Sequence, residues 1–165
     1  MPGKPPATLT RAGIAQRIPH QGNMCLLDEV TRWDTQHIIC QTSSHQAPDN
    51  PLRAHGRLGA ACGVEYAAQA MAVHGALMGE VLAGDGNAPP RAGYLASVRS
   101  VSLLVNQLDT APGPLTVSAE RLTGDDNTAL YSFELQAGAK VLLRGRAVVV
   151  LDAAALTTAA AAGGN

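Results

Sequence analysis

The period of apolar positions changes once along the chain. Leu26, Leu27, Val30 and Trp33 form a short apolar segment after the run HQGNM, and Gln36 to Ser43 reads as a strand with Ile38 and Ile39 in a polar frame. Ser44 to Gly56 reads as loop, because Pro48, Asp49, Asn50 and Pro51 cannot sustain a ladder. From Leu58 to Leu82 the chain is rich in Ala, Met and Leu and apolar almost all round, which predicts a long helix enclosed on several sides. Its glycines, Gly59, Gly63 and Gly75, predict a close approach to the helix backbone. GDGNAPP from Gly84 to Pro90 ends it. Beyond Tyr94 the period becomes two: Val101, Leu103 and Val105, then Leu115, Val117 and Ala119, then Tyr131, Phe133 and Leu135, then the run Val141 to Leu151. LDTAPGP, TGDDN and QAGAK separate these runs and read as turns. The pattern predicts an α+β fold, an antiparallel sheet of about six strands wrapped round one long central helix.

With 165 residues the chain is expected to be one domain. A flexible N-terminal arm is expected over 1–16, the folded domain over 17–152 and a flexible Ala/Thr/Gly tail over 153–165.

Composition narrows the function. Charged residues are 15%, below the ~25% of typical soluble domains, which argues for a compact, mostly buried fold or for surface hidden in an oligomer. The net charge of -1 and the 3% aromatic content argue against nucleic-acid binding, by phosphate contact or by stacking. Cys25, Cys40 and Cys62 are odd in number and lie in apolar stretches, which suits reduced cysteines of a cytoplasmic protein. Leu58 to Gly79 resembles a membrane span only superficially, because Glu65 would sit at mid-span, so no membrane insertion is expected.

Glu65 is the residue most suggestive of chemistry. It is the only carboxylate between Asp49 and Glu80, on a helix expected to be buried, and a buried carboxyl group is a proton donor near neutral pH. Gln69, one turn on, could hold that carboxylate or a substrate carbonyl, or tie the helix to a strand. His74 reads as a satisfied core histidine, and His37 has no assigned role. His45 and His55 flank the loop before the helix, and His20 precedes the first strand; all three are candidate bases. No HxxxH, HExxH or CxxC spacing suggests a metal, no GxSxG suggests a serine hydrolase, and no phosphate-binding Gly loop occurs.

Two motifs resemble a known family. Ile18-Pro19-His20-Gln21 through Leu26-Leu27-Asp28-Glu29-Val30 resembles the "LPHR…LLVDRV" opening of the hotdog-fold 3-hydroxyacyl-acyl-carrier-protein dehydratases. Gly63-Val64-Glu65-Tyr66-Ala67-Ala68-Gln69-Ala70 resembles their "LEAMAQ" helix. The "PHQ" opening, and His55-Gly56-Arg57-Leu58-Gly59 leading to Gln69, are similar to the divergent ApeP-like branch of aryl polyene clusters.

This resemblance, over about residues 14–151, implies a hotdog fold, a dimer and elimination of water from a 3-hydroxyacyl thioester in fatty-acid or aryl-polyene synthesis. It implies that Glu65 is the acid and that a histidine is the base. Gln69, Gly59 and Gly63 would lie against the substrate, with backbone N–H groups near the helix start polarising the thioester carbonyl. No cofactor is implied, since the phosphopantetheine arrives on the acyl carrier protein. The family's loop histidine falls on Pro51 here, which leaves His55 and His20 as candidates. That departure keeps two alternatives open: a half-site or non-catalytic subunit paired with another hotdog chain as a heterodimer, and a hotdog thioesterase. Arg91, Arg99 and Arg144 are available as basic surface for the carrier protein.

Overall fold

The computed structural model describes residues 5–83, 94–125 and 127–150. A two-residue strand β1 (Leu9–Thr10) runs into a short helix α1 (Arg11–Ala15). Then come β2 (Glu29–Trp33), β3 (His37–Thr42), the long helix α2 (Gly63–Ala83), β4 (Tyr94–Leu103), β5 (Leu115–Gly124), β6 (Thr128–Ala137) and β7 (Lys140–Val150). The strands form one antiparallel sheet in the order β1-β2-β3-β5-β6-β7-β4, with α2 against its inner face. This is the expected hotdog architecture, with seven strands in place of about six.

Period-two patterning supplies the inner wall. Leu115, Val117 and Ala119 of β5 and Tyr131, Phe133 and Leu135 of β6 are buried, while their alternate neighbours are more exposed. Tyr66, Ala67, Ala70, Met71, Val73 and Leu77 of α2 complete the core. The close approach predicted at Gly63 is real: a Cβ there would overlap the Leu143 side chain and lie 3.2 Å from Leu135 Cδ2. At Gly59 nothing lies within 4 Å of a built Cβ, so that position is open.

Three expectations are corrected. Residues 9–15, expected in a loose arm, form β1 and α1, because Leu9 and Ile14 are buried and Thr10 Oγ1 caps α1 by accepting from the Gly13 N–H. The helix begins at Gly63 rather than Leu58, since a 3-10 turn over Ala60–Cys62 precedes it. LDTAPGP is not a hairpin turn: β4 pairs with β7, β5 with β3 and β6, and the connection crosses past the start of the helix. There Ala60 N–H donates to Asn106 O, Leu108 N–H to Leu58 O, and Leu58 N–H to Asp109 Oδ1. TGDDN and QAGAK do join hairpin-paired strands, β5 to β6 and β6 to β7. The tail 153–165, Arg91 and GDGNAPP lie outside the described residues. Among the described residues no helix is long and apolar enough to cross a membrane.

Candidate active site

The segment from Gln16 to Leu27 wraps the helix α2 and is tied to it by side chains. Arg17 donates from Nε to Glu80 Oε1 at 2.8 Å and from Nη2 to Glu80 Oε2 at 3.3 Å. Gln69 Nε2 donates to Met24 O at 2.8 Å, and Gln69 Oε1 accepts from the Leu26 N–H at 2.9 Å. Glu65, Gln69 and Glu80 are spaced by four and eleven residues, so they share one face of the helix. Between the two anchors Ile18 is buried, Gln21 Nε2 donates to Ala15 O, and His20 is held over the first turns of α2.

There His20 Nε2 lies 3.1 Å from Glu65 Oε1. Gln69 Nε2 reaches the same carboxylate oxygen at 3.4 Å. The other nitrogen of His20, Nδ1, is buried and has no hydrogen-bond partner among the described residues. The enclosed carboxylate expected from the sequence is corrected: the Glu65 side chain is 37% exposed, at the mouth of the helix start beside His20.

The other predicted residues separate. Gln69 is buried and its amide is spent on Met24 O, the Leu26 N–H and Glu65, so no donor remains for a substrate carbonyl. Of the three readings weighed for it, Gln69 reaches the carboxylate and ties the helix to the segment that precedes β2. His55 is exposed at φ 54 and, with Gly56 at φ 77, forms the two-residue turn closed by Ala54 N–H to Arg57 O and Arg57 N–H to Ala54 O. His45 is buried against the β4–β5 connection, its Nε2 donating to Ala111 O at 3.1 Å, and burial holds its pKa below the ordinary histidine value. No hydrogen bond or ion pair joins His45 or His55 to Glu65 among the described residues. His74 is the satisfied core histidine expected: Tyr131 Oη donates to Nδ1 at 2.6 Å and Nε2 donates to Asp34 O at 2.8 Å. Burial lowers its pKa too and pushes that of Tyr131 up to about 12.

A second polar network braces the site and was invisible in the sequence. The Leu26 carbonyl accepts from Thr42 Oγ1 and from Ser44 Oγ at 2.6 Å, Ser44 Oγ meets Tyr66 Oη at 2.9 Å, and Asn50 Nδ2 donates to Tyr66 Oη at 2.9 Å. These residues come from the segment before β2, from β3 and the loop after it, and from α2, so no sequence spacing relates them. Cys25 and Cys40 are buried with raised thiol pKa values, that of Cys40 to about 12, and Cys62 is half-buried.

A family profile described as ApeP-like, ApeP dehydratase, matches residues 12–159. The chain belongs to the ApeP-like dehydratase family. Among solved structures it is similar to the dehydratase heterocomplex ApeI:P from Xenorhabdus doucetiae, with a TM-score of 0.71 and 23% identity over 84% of this chain and 90% of that one. A thioesterase from Haemophilus influenzae is similar with a TM-score of 0.55 and 13% identity over 91% and 94%. A hypothetical thioesterase with coenzyme A from Streptococcus pneumoniae is similar with a TM-score of 0.53 and 12% identity over 74% and 86%. At these identities the solved structures show the hotdog fold. A comparison with curated proteins finds no match. For an ApeP-like dehydratase, a histidine–carboxylate contact on one chain at the start of the central helix is the chemically notable feature.

Proposed function

We propose that the chain removes water from a 3-hydroxyacyl thioester presented on acyl carrier protein, in fatty-acid or aryl-polyene-type synthesis, with His20 as base and Glu65 as acid. The observation that carries this reading is the 3.1 Å contact between His20 Nε2 and Glu65 Oε1. Elimination needs one group to take the proton next to the thioester carbonyl and another to give one to the departing hydroxyl. In the reactive state the neutral imidazole carries its proton on Nδ1, the Nε2 lone pair is free and Glu65 carries a proton of its own on Oε1. The C–H proton passes to Nε2, the C–O bond breaks, and the Glu65 proton leaves with the hydroxyl as water. The proton gained by Nε2 is then one hydrogen bond away from Oε1, so the pair resets without a cofactor. The open position at Gly59 leaves room for the thioester at the helix start, and Gln69 holds the carboxylate in place.

The protein works as a pair of hotdog subunits. On β4, an edge strand, Leu95, Val101 and Leu103 are 38%, 38% and 47% exposed, a row of apolar side chains that a second subunit would cover. The partner is a second copy or a different hotdog chain, and the X. doucetiae relative is a heterocomplex. Free cysteines fit a cytoplasmic setting.

Mass spectrometry of a 3-hydroxyacyl carrier protein incubated with the purified chain tests the reading. Loss of one water with wild type and none with Glu65→Gln is expected. If both proteins dehydrate the substrate equally, Glu65 is not the acid. If wild type is inactive alone and gains activity with a second hotdog chain, the half-site reading replaces this one, the one favoured by Pro51 in place of the loop histidine. Release of free thiol in place of water identifies a thioesterase.

A further inference from the structure

His20 has little of its own to hold it. Among the described residues its ring makes a single polar contact, the one to Glu65, and its backbone N–H and carbonyl make none. Its place therefore comes from the residues on either side. On one side Ile18 is buried. On the other the chain turns sharply. Met24 N–H donates to Gln21 O and Cys25 N–H to Gly22 O, and Gly22 sits in the left-handed region at φ 59.

Polar ties hold this turn, since its one large apolar side chain, Met24, is 43% exposed. Asn23 Nδ2 donates to Asp49 O in the loop after β3, and Gln69 holds Met24 O from the helix. A further tie comes from α1. Arg11 Nη2 donates to Gly22 O at 2.7 Å, and Arg11 Nη1 lies 3.6 Å from Asp28 Oδ1. Asp28 is itself fixed to β3 and its end: its N–H donates to Gln41 O at 3.0 Å, and its Oδ2 accepts from the Ser43 N–H at 2.8 Å. The guanidinium thus bridges the turn to the sheet, a role that suits a planar fork of donors better than a point charge. Gly22 is two residues past His20, so a shift of its carbonyl carries the imidazole with it.

Stability does not account for this arrangement. The Arg11 and Asp28 side chains are 47% and 42% exposed, and an ion pair so open to water adds little to folding. What the bridge fixes is where His20 stands relative to Glu65. A base and an acid that act on neighbouring carbons of one substrate depend on that spacing, and a displacement of about 1 Å can lower such a rate by about 10²-fold.

We propose that Arg11, acting through the Gly22 carbonyl, is a positioning residue that sets His20 against Glu65 for the dehydration. This rests on the dehydratase reading above. In this role Arg11 touches neither the substrate nor the reacting atoms, so its loss slows the bound complex and leaves substrate binding alone.

The test compares the assembled wild-type protein with R11Q and G22A. R11Q removes the bridge. G22A leaves Arg11 in place and strains only the backbone of the turn, since nothing lies within 4 Å of a Cβ built at Gly22. In steady-state dehydration of a 3-hydroxyacyl carrier protein, each variant lowers kcat by about tenfold with KM within about twofold. R11Q/G22A is worse than the poorer single variant by no more than about twofold, because both changes act on one turn. R11Q melts within about 4 °C of wild type. If R11Q does not fold, G22A carries the kinetic test alone. An unchanged kcat overturns the proposal. So does a raised KM at unchanged kcat, which would make Arg11 a substrate contact.

The second measurement needs no turnover. The ring-nitrogen NMR resonances of His20 are recorded with and without Glu65→Gln. That substitution shifts the Nε2 resonance in wild type, and in the R11Q background the shift falls to about half or less, because the contact has opened. An equal shift in both backgrounds overturns the proposal. If wild type dehydrates nothing, the dehydratase reading fails by itself, and the resonance shift still decides whether Arg11 sets the contact.

Discussion

Two histidines lie on either side of the helix's first three turns, and their surroundings differ in a way that separates chemistry from structure. His74 sits inside the core with both nitrogens satisfied, one by Tyr131 Oη and one by Asp34 O. His20 sits at the rim with one nitrogen on a half-exposed carboxylate and the other without a partner among the described residues. A saturated, desolvated imidazole has no site for an incoming proton unless a hydrogen bond breaks, so it holds the fold together. An imidazole that shares a single proton with a carboxylate open to solvent can exchange it. Residue type and burial alone do not discriminate here; a carboxylate partner open to solvent does.

The largest expected effect breaks the comparison at the rim. Glu65→Gln and His20→Gln each lower the dehydration rate by about 10²–10⁴-fold while thermal stability stays within about 0.5 kcal/mol, as steady-state kinetics and melting curves would register. His74→Gln should do the reverse, costing about 1–3 kcal/mol by leaving Tyr131 Oη or Asp34 O unpaired, with turnover within about threefold. A loss of turnover in the His74 variant as large as in the His20 variant would dissolve the distinction.

Gln69→Leu probes the join between the two environments. Met24 O and the Leu26 N–H lose their partners, so about 1–3 kcal/mol of stability is lost, and His20 and Glu65 lose a shared support. The expected rate loss is smaller than for Glu65→Gln, and a crystal structure of the variant should show the 3.1 Å contact lengthened. Gly63→Ala comes next: overlap with Leu143 costs about 1–3 kcal/mol, read by denaturant unfolding.

The smallest effect is one of pH. His74 and His45 have folded-state pKa values below the ordinary 6.5 because burial disfavours the imidazolium. Below that value the unfolded chain binds more protons than the folded one, so stability is complete above about pH 6.5 and declines as pH falls. Melting temperature should therefore drop between about pH 7 and pH 5, and His74→Gln should lower it less at pH 5 than at pH 7. A pH-independent difference between wild type and His74→Gln would mean that His74 titrates alike in the folded and the unfolded chain, against the lowered value argued here.

Much of this was legible in one dimension. The change of period at Tyr94, the apolar helix and the isolated Glu65 are properties of neighbours along the chain, and local patterning carries them. The turn at LDTAPGP was misread because a Pro/Gly-rich connection looks the same whether it closes a hairpin or crosses the sheet. Only the pairing of β4 with β7 separates the two. The arm was misread because Leu9 and Ile14 are too sparse to show a period, though both are buried.

The candidate base marks the boundary most clearly. Residue types and spacing left His20, His45 and His55 open, since each lies in a loop and is many residues from Glu65. The Arg17–Glu80 and Gln69 ties bend the segment after α1 over the helix and place His20 on Glu65, while the turn at His55-Gly56 carries His55 outward. The sequence by itself determined the elements, the buried faces and the carboxylate, because these follow from local propensity and periodicity. The tertiary structure alone decided which histidine meets that carboxylate and which side chains hold it there. Such contacts join residues far apart in the chain, and their partners are selected by packing in three dimensions.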